Sequence, residues 1–418
     1  MDYERRPTVD LQKGNEIVVD QDHVRLVGNE LTNFGVAVTE EEVDSRLGLG
    51  RLTLTGAAVS ADEATSDPGI SDVVRSYWTK ALESIVAGGG PPPTNLDVCL
   101  SALRSRFADE YGGWIPTMGK NRDISDIEGL PYISGGGASK VPELSSAPTL
   151  GRAGSPEGAG VRVGIADTPI FPHPQLAGRY KNLGEEFHPD DEVRPAAGHA
   201  TFIAGLVLQR APGASLLVRS VLDRRALGTS WGVATSLMCF LDEENRVDVI
   251  PLAFGTYARD GRPPLVLARA VERLAPHTVV LAAAGNHGEE EPPELAEPGQ
   301  LTNRTVVYPG GNDGVYAVAA AETNGKLASF SPPLLPWFQL SAPGVNVQSL
   351  YLYGPVLTNP YEQAPYFTGS ACWSGSSFAV ATVAGEIAKR TVPGHRTAHE
   401  ALADLLAGKA CEDGIRPV

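Results

Sequence analysis

The chain has 418 residues, 42% hydrophobic and 20% charged, so it can bury a sizeable core and exceeds one average domain. A net charge of -16 makes nucleic acid an unfavourable partner and disfavours an anionic membrane surface. No apolar run approaches the ~20 residues of a membrane span, and Met1-Asp2-Tyr3-Glu4-Arg5-Arg6 leads into no apolar signal region, so the expected compartment is the cytoplasm.

Residues 1–112 read as a small α/β domain. Strands are expected at 16–19, 35–38 and 51–54, and a helix at 22–31 that Asp20 or Asp22 could cap. Two further helices follow. Val74, Trp78, Leu82 and Ile85 recur at helical spacing after Ser71, and Leu96, Leu100, Leu103 and Phe107 do so after the cap candidate Asn95. The Gly-Gly-Gly-Pro-Pro-Pro run between them breaks any helix. His23 reads as a surface helix residue, and no catalytic constellation is evident in this domain.

Residues 113–158 are rich in Gly, Pro and Ser, with Ser134-Gly-Gly-Gly137 and Ser145-Ser-Ala-Pro148, and are expected to form a connector. Beyond it the pattern changes. Apolar runs at 161–165, 215–221, 247–252, 279–284 and 315–320 alternate with helical stretches at 200–208, 229–241 and 265–274. Runs apolar on both faces and interleaved with helices predict an α/β fold with a doubly wound, mostly parallel sheet. A last helix begins at the capping box Thr397–Glu400 and stops before Gly408, leaving 413–418 as a tail. Cys99, Cys239, Cys372 and Cys411 are scattered, form no metal-type pair and are expected as free thiols.

In doubly wound sheets, ligands sit outside the carboxyl ends of the strands. Asp167 follows the 161–165 run, Leu252-Ala253-Phe254-Gly255 closes the 247–252 run, and Gly285-Asn286 follows the 279–284 run. His199 starts the helical stretch that follows Asp167. In Ser374-Gly375-Ser376-Ser377, small residues crowd a serine at the mouth of an apolar helix, where unpaired N–H groups favour a developing anion. Singly, each has a plainer reading as a turn cap, a surface histidine, a left-handed turn or a loop. Together they supply the nucleophile, base, orienting carboxylate and amide donor of acyl transfer. The order Asp, His, Ser distinguishes the subtilisin arrangement from the other triad orders.

Residues 159–412 resemble the subtilisin-like serine proteases (subtilases). Val163-Gly164-Ile165-Ala166-Asp167-Thr168 is similar to the family's aspartate motif and Gly198-His199-Ala200-Thr201 to its histidine motif. Asp248–Gly255 is similar to the substrate-binding strand, Ala282-Ala283-Ala284-Gly285-Asn286 to the oxyanion motif, and Gly375–Gly385 to the serine motif. Pro169, Ala200 and Ala381 depart from the family pattern without removing a functional group. The resemblance implies a serine endopeptidase with Asp167, His199 and Ser377 as triad and Asn286 in the oxyanion hole. It implies a first specificity pocket lined by Leu252–Gly255 and by Ala283, Ala284 and Gly285, small and apolar enough to suggest an uncharged side chain. Glu289-Glu290-Glu291 nearby could instead attract basic residues.

No metal or organic cofactor is needed for this chemistry. Calcium stabilises many members of the family, but no compact Asp-rich loop places an ion here. The expected partner is a peptide or protein substrate, and the N-terminal domain loosely resembles the propeptides that chaperone or inhibit such enzymes. A domain that is retained for regulation is the alternative. A peptide ligase or macrocyclase on the same fold, and a pseudoprotease that only binds peptides, also remain open.

Overall fold

The structure is a computed structural model that describes residues 12–55, 69–87, 93–126, 141–188, 193–258, 262–296, 301–333, 338–359, 362–408 and 416–418. The glycine runs at 88–90 and 135–137 and Cys411 lie outside these residues, whereas Cys99, Cys239 and Cys372 are free thiols.

The larger sheet has eight strands in the order Arg416–Pro417, Phe338–Pro343, Val315–Ala321, Val279–Ala283, Val249–Leu252, Arg162–Asp167, Ser215–Ser220 and Tyr180–Asn182. Every pairing within it is parallel. Its strands alternate between two apolar layers. Val163, Ile165, Val249, Val279 and Leu281 face one core with Phe202, Val207, Phe378 and Val383 of the helices His199–Arg210 and Ser376–Arg390. Ala166, Ile250, Val280 and Ala282 face the other, with Trp231, Leu237, Leu267 and Leu274 of the helices Ser230–Leu237 and Leu265–Leu274. Strands buried on both faces carry no polar alternation, which is why they read as continuous apolar runs. From Arg162–Asp167 the chain builds outward first to one side and then to the other, so the sheet's switch point lies at the carboxyl end that carries Asp167.

The N-terminal unit pairs Gln12–Asp20 with Leu49–Leu54 and with Met118–Asp126, and Leu49–Leu54 with Val38–Asp44, all antiparallel. Its own core joins Ile17, Val27, Leu31, Phe34 and Leu52 to Trp78, Leu100, Leu103 and Phe107 of the helices Asp72–Ala87 and Asn95–Glu110. Three local expectations change. Helix Val24–Asn33 follows a 3-10 turn and takes His23 at its N-cap, so neither Asp20 nor Asp22 caps it. Thr94, not Asn95, caps helix Asn95–Glu110, because its hydroxyl and Asp97 form a capping box. The first strand after Asn33 starts at Val38, since Gly35, at φ +75, still belongs to the end of the helix.

The span 113–158 is more than a connector. Met118–Asp126 completes the N-terminal sheet and continues into the second unit, pairing with Leu227–Thr229 and with Phe254–Tyr257. Glu143–Leu144 pairs with Tyr366–Trp373. The tail is not free either, since Arg416–Pro417 adds to the edge of the parallel sheet. In all three places backbone pairing with a distant strand replaces an apolar pattern, and the sequence of the segment itself carries little signal.

The two units meet through apolar and polar contacts. Val18, Leu47, Leu49 and Ile124 join the core formed with Trp231, Phe254 and Leu267. At its centre the buried Asn121 donates to Glu16 at 2.5 Å and accepts from the Ser230 hydroxyl at 2.9 Å and the Trp231 N–H at 2.8 Å. The Arg122 N–H donates to the same Ser230 oxygen at 2.9 Å. Asn121 thereby satisfies one first-turn N–H of helix Ser230–Leu237, while Thr229 accepts from Gly232. Asn121→Leu keeps the branched shape, strands the Ser230 hydroxyl and the Trp231 N–H, and leaves Glu16 only Arg51 as partner. It is expected to lower the unfolding free energy by about 2–4 kcal/mol, read from denaturant titrations.

Candidate active site

Asp167 ends its strand at the switch point, nearly fully buried. The Thr168 N–H donates to its Oδ1 at 2.7 Å, fixing the carboxylate from the backbone side. His199 is the first residue of helix His199–Arg210, and its Nδ1 lies 2.9 Å from both Asp167 oxygens. A carboxylate shared in this way holds Nδ1 protonated and leaves Nε2 the basic nitrogen of the neutral ring. The ring is also held sterically, edge-on to Trp373 at 5.9 Å and against Phe378 at 5.6 Å. The Ala200 N–H donates to Thr168 Oγ1 at 3.2 Å, tying the start of the helix to the strand end. The extra methyl of Ala200 is fully buried and leaves the histidine contact intact.

Ser377 is the second residue of helix Ser376–Arg390, so Ser376 is helical and Gly375 holds the N-cap position. The Ser377 hydroxyl donates to the Ala253 carbonyl at 3.1 Å. Asn286 Oδ1 accepts from the Ser376 N–H at 2.9 Å. An amide whose oxygen is committed to the backbone turns its NH2 the other way, which gives the Asn286 donor a defined direction. The Gly285 N–H donates to Ser376 Oγ at 3.2 Å, a second tie between this turn and the serine helix. Gly285 has φ +112, and a Cβ there would come within 2.5 Å of the His287 ring, so no other residue fits.

The expected pocket residues separate into two sets. Leu252 and Phe254 point into the core beneath helices Ser230–Leu237 and Leu265–Leu274, and Ala253 into the opposite layer. Gly255 lies in Phe254–Tyr257, which leaves the parallel sheet and runs antiparallel between Met118–Asp126 and Val307–Tyr308. Ala283 and Ala284 are fully buried at the end of their strand, beside the Gly285 turn. Among the described residues, no group of three or more His, Cys, Asp or Glu side chains is gathered as a metal would require, and no helix is long and apolar enough to cross a membrane.

Two features of the site have no clear signal in the sequence. One is the Met118–Asp126 strand, whose Ser125 and Asp126 pair with Gly255 and Phe254. The other is His287, which reads simply as part of a Gly-Asn-His-Gly turn. Its ring is buried, and its Nε2 lies 2.9 Å from the Thr305 carbonyl. Burial pushes its pKa down to about 4, against the pull of that hydrogen bond. Tyr257 faces Nδ1, and burial and the negative charge of Glu290 hold that phenol protonated.

Residues 158–410 match the profile of the subtilase family. A thermostable alkaline protease of Halalkalibacterium halodurans is 33% identical over 207 residues, covering 46% of this chain and 50% of that protein. Subtilisin DY of Bacillus licheniformis is 32% identical over 209 residues, 47% of this chain and 68% of its own. Serine protease AprX of Bacillus subtilis is 28% identical over 267 residues, 54% of this chain and 56% of its own. The chain therefore spans about half the length of the first and third of these relatives.

The titration of His287 has a definite sign. An unfolded histidine titrates near 6.5, so between that pH and about 4 the unfolded chain binds a proton that the folded chain excludes. The stabilisation is complete above pH ~6.5 and is lost as the pH falls through this window, up to about 3 kcal/mol. His287→Gln is expected to flatten the fall of the thermal midpoint between pH 6.5 and 4, measured by calorimetry across that range.

Proposed function

The chain belongs to the subtilase family, and on that premise we propose that it is a serine endopeptidase acting through Asp167, His199 and Ser377. The observation that carries this reading is the buried Asp167–His199 contact, both carboxylate oxygens 2.9 Å from Nδ1, at the mouth of the serine helix. The reaction begins with the Ser377 hydroxyl turning from the Ala253 carbonyl to His199 Nε2. His199 takes the proton as Ser377 Oγ attacks the peptide carbonyl, and Asp167 stabilises the imidazolium. The Asn286 NH2 and the Ser377 N–H receive the oxyanion, a donor pair whose members are each worth ~100- to 1000-fold in turnover. His199 then protonates the leaving amine, and water cleaves the acyl-enzyme by the same route.

Ser377→Ala is expected to abolish labelling by a fluorophosphonate probe and hydrolysis of a peptide library. A variant labelled as fully as the parent chain would sink the assignment.

The substrate in this reading adds as a strand alongside Phe254–Tyr257, with backbone hydrogen bonds for affinity and side-chain pockets for selectivity. The C-terminal part of Met118–Asp126 lies in that place, between Leu227–Thr229 and Phe254–Tyr257. The N-terminal unit is thus read as an inhibitor within the chain, delivering a substrate-like strand to the cleft. Ile124, fully buried in the core that includes Trp231 and Phe254, anchors it there. Ile124→Glu should expel the strand and raise turnover of a short peptide several-fold per labelled serine. Unchanged turnover would remove the inhibitory role and leave the triad assignment standing.

A further inference from the structure

His287 is buried, polar and unused by the mechanism above, yet it adjoins Asn286. Its ring packs so tightly on Gly285 that a Cβ at that position would lie 2.5 Å from both Cε1 and Nδ1. With Nε2 donating to the Thr305 carbonyl at 2.9 Å, the proton is on Nε2 and the ring is neutral. Nδ1 then faces the Tyr257 hydroxyl at 3.5 Å, with the two rings edge to face at 5.5 Å.

Both neighbours are themselves fixed. Thr305 closes a turn in which its hydroxyl accepts from the Thr302 N–H at 2.9 Å and its N–H donates to the Thr302 carbonyl at 3.0 Å. Tyr257 pairs with Val307 across the antiparallel strands. On the far side of His287, the Gly288 N–H donates to the Phe330 carbonyl at 2.8 Å, and a Cβ at Gly288 would overlap the Ser331 carbonyl. The histidine is therefore a strut between a rigid wall and a glycine turn that has no side chain of its own to hold it. From that turn two hydrogen bonds run to Ser376, the Gly285 N–H to its hydroxyl and its N–H to Asn286 Oδ1.

We infer that His287 is a positioning residue for the oxyanion hole: by bracing Gly285 against Thr305 it holds the Asn286 NH2 where the developing oxyanion forms. The inference rests on the proposed role of Asn286. A donor contributes to the transition state only if it is fixed before the charge appears, so the brace acts on turnover and little on ground-state binding.

The test compares His287→Leu, which fills similar space without a donor, with His287→Gln, whose amide can reach the Thr305 carbonyl. Both are assayed on a peptide anilide with active serines counted by fluorophosphonate. The Leu variant is expected to lose roughly 10- to 100-fold in kcat with KM within about threefold, and the Gln variant to recover most of the loss. A Leu variant with parental kcat per labelled serine overturns the inference, as does a Gln variant no better than Leu. A reading independent of variant folding comes from the nitrogen NMR shifts of the parent imidazole. A proton on Nε2 supports the strut, and one on Nδ1 overturns it. Failure of the triad assignment is distinct, because then neither the parent chain nor the Ile124→Glu variant, with its strand expelled, would take any label.

Discussion

Phe254–Tyr257 imposes the constraint on which the arrangement depends. The chain enters it from Val249–Leu252, inside the parallel sheet, and leaves that sheet at Ala253. A strand that steps out of a sheet carries backbone donors and acceptors on two new edges, and buried ones must be matched. Val307–Tyr308 takes one edge and Met118–Asp126 the other. The second partner comes from the N-terminal unit, so one antiparallel sheet runs from that unit, through the cleft, to the wall behind Gly285. The edge that Met118–Asp126 fills is matched through backbone hydrogen bonds, which place few demands on the side chains of the strand that fills it.

The contact between the units combines two kinds of energy with different consequences. The apolar part, Val18, Leu47, Leu49 and Ile124 against Trp231 and Leu267, gives strength but tolerates sliding. The polar part does not. Glu16, Asn121, Ser230 and the Trp231 N–H in the first turn of helix Ser230–Leu237 satisfy one another only in one register. Buried polar groups cost free energy unless all are matched, so a shift of one residue along Met118–Asp126 would strand several at once. Arg269 adds a second fixed point, donating to Asp20 at 2.9 Å and to the Leu47 carbonyl at 3.1 Å. The register of Ser125 and Asp126 against Gly255 and Phe254 is thus set some distance from the cleft.

How much of this is legible in the sequence follows from which interactions are local. Helix Leu265–Leu274 and the box Thr397–Glu400 are visible because spacing and capping are properties of neighbouring residues. The central strands are visible because burial on both faces forces continuous apolar runs such as 279–283. Asp167, His199, Asn286 and Ser377 are visible as motifs, although nothing local says that they meet. Met118–Asp126 is hidden: Lys120, Asn121, Arg122 and Asp123 alternate nothing, and Asn121 and Arg122 are ordered by partners over 100 residues away, Asn121 by Glu16 and Ser230 and the Arg122 N–H by Ser230. His287 is hidden for the same reason, since its meaning depends on Thr305 and Tyr257.

The crossing of two helices relates His199 to Ser377, and small residues govern it. Helix His199–Arg210 carries the histidine at its first residue, and Ser376–Arg390 the serine at its second. At the far end of the crossing, a Cβ on Gly385 would come within 2.8 Å of the Arg210 Cβ and 2.9 Å of the Val207 carbonyl. At the near end the Phe202 and Phe378 rings pack tilted at 4.5 Å, beside the imidazole that Phe378 and Trp373 enclose. A close glycine contact and a bulky aromatic one fix both separation and tilt, because either contact without the other would let the helices pivot. The strand ends then fix the remaining freedom, Asp167 through His199 and Ala253 through the Ser377 hydroxyl. The apolar, small-residue composition of 376–388 is therefore a condition of the site's geometry as much as of the core.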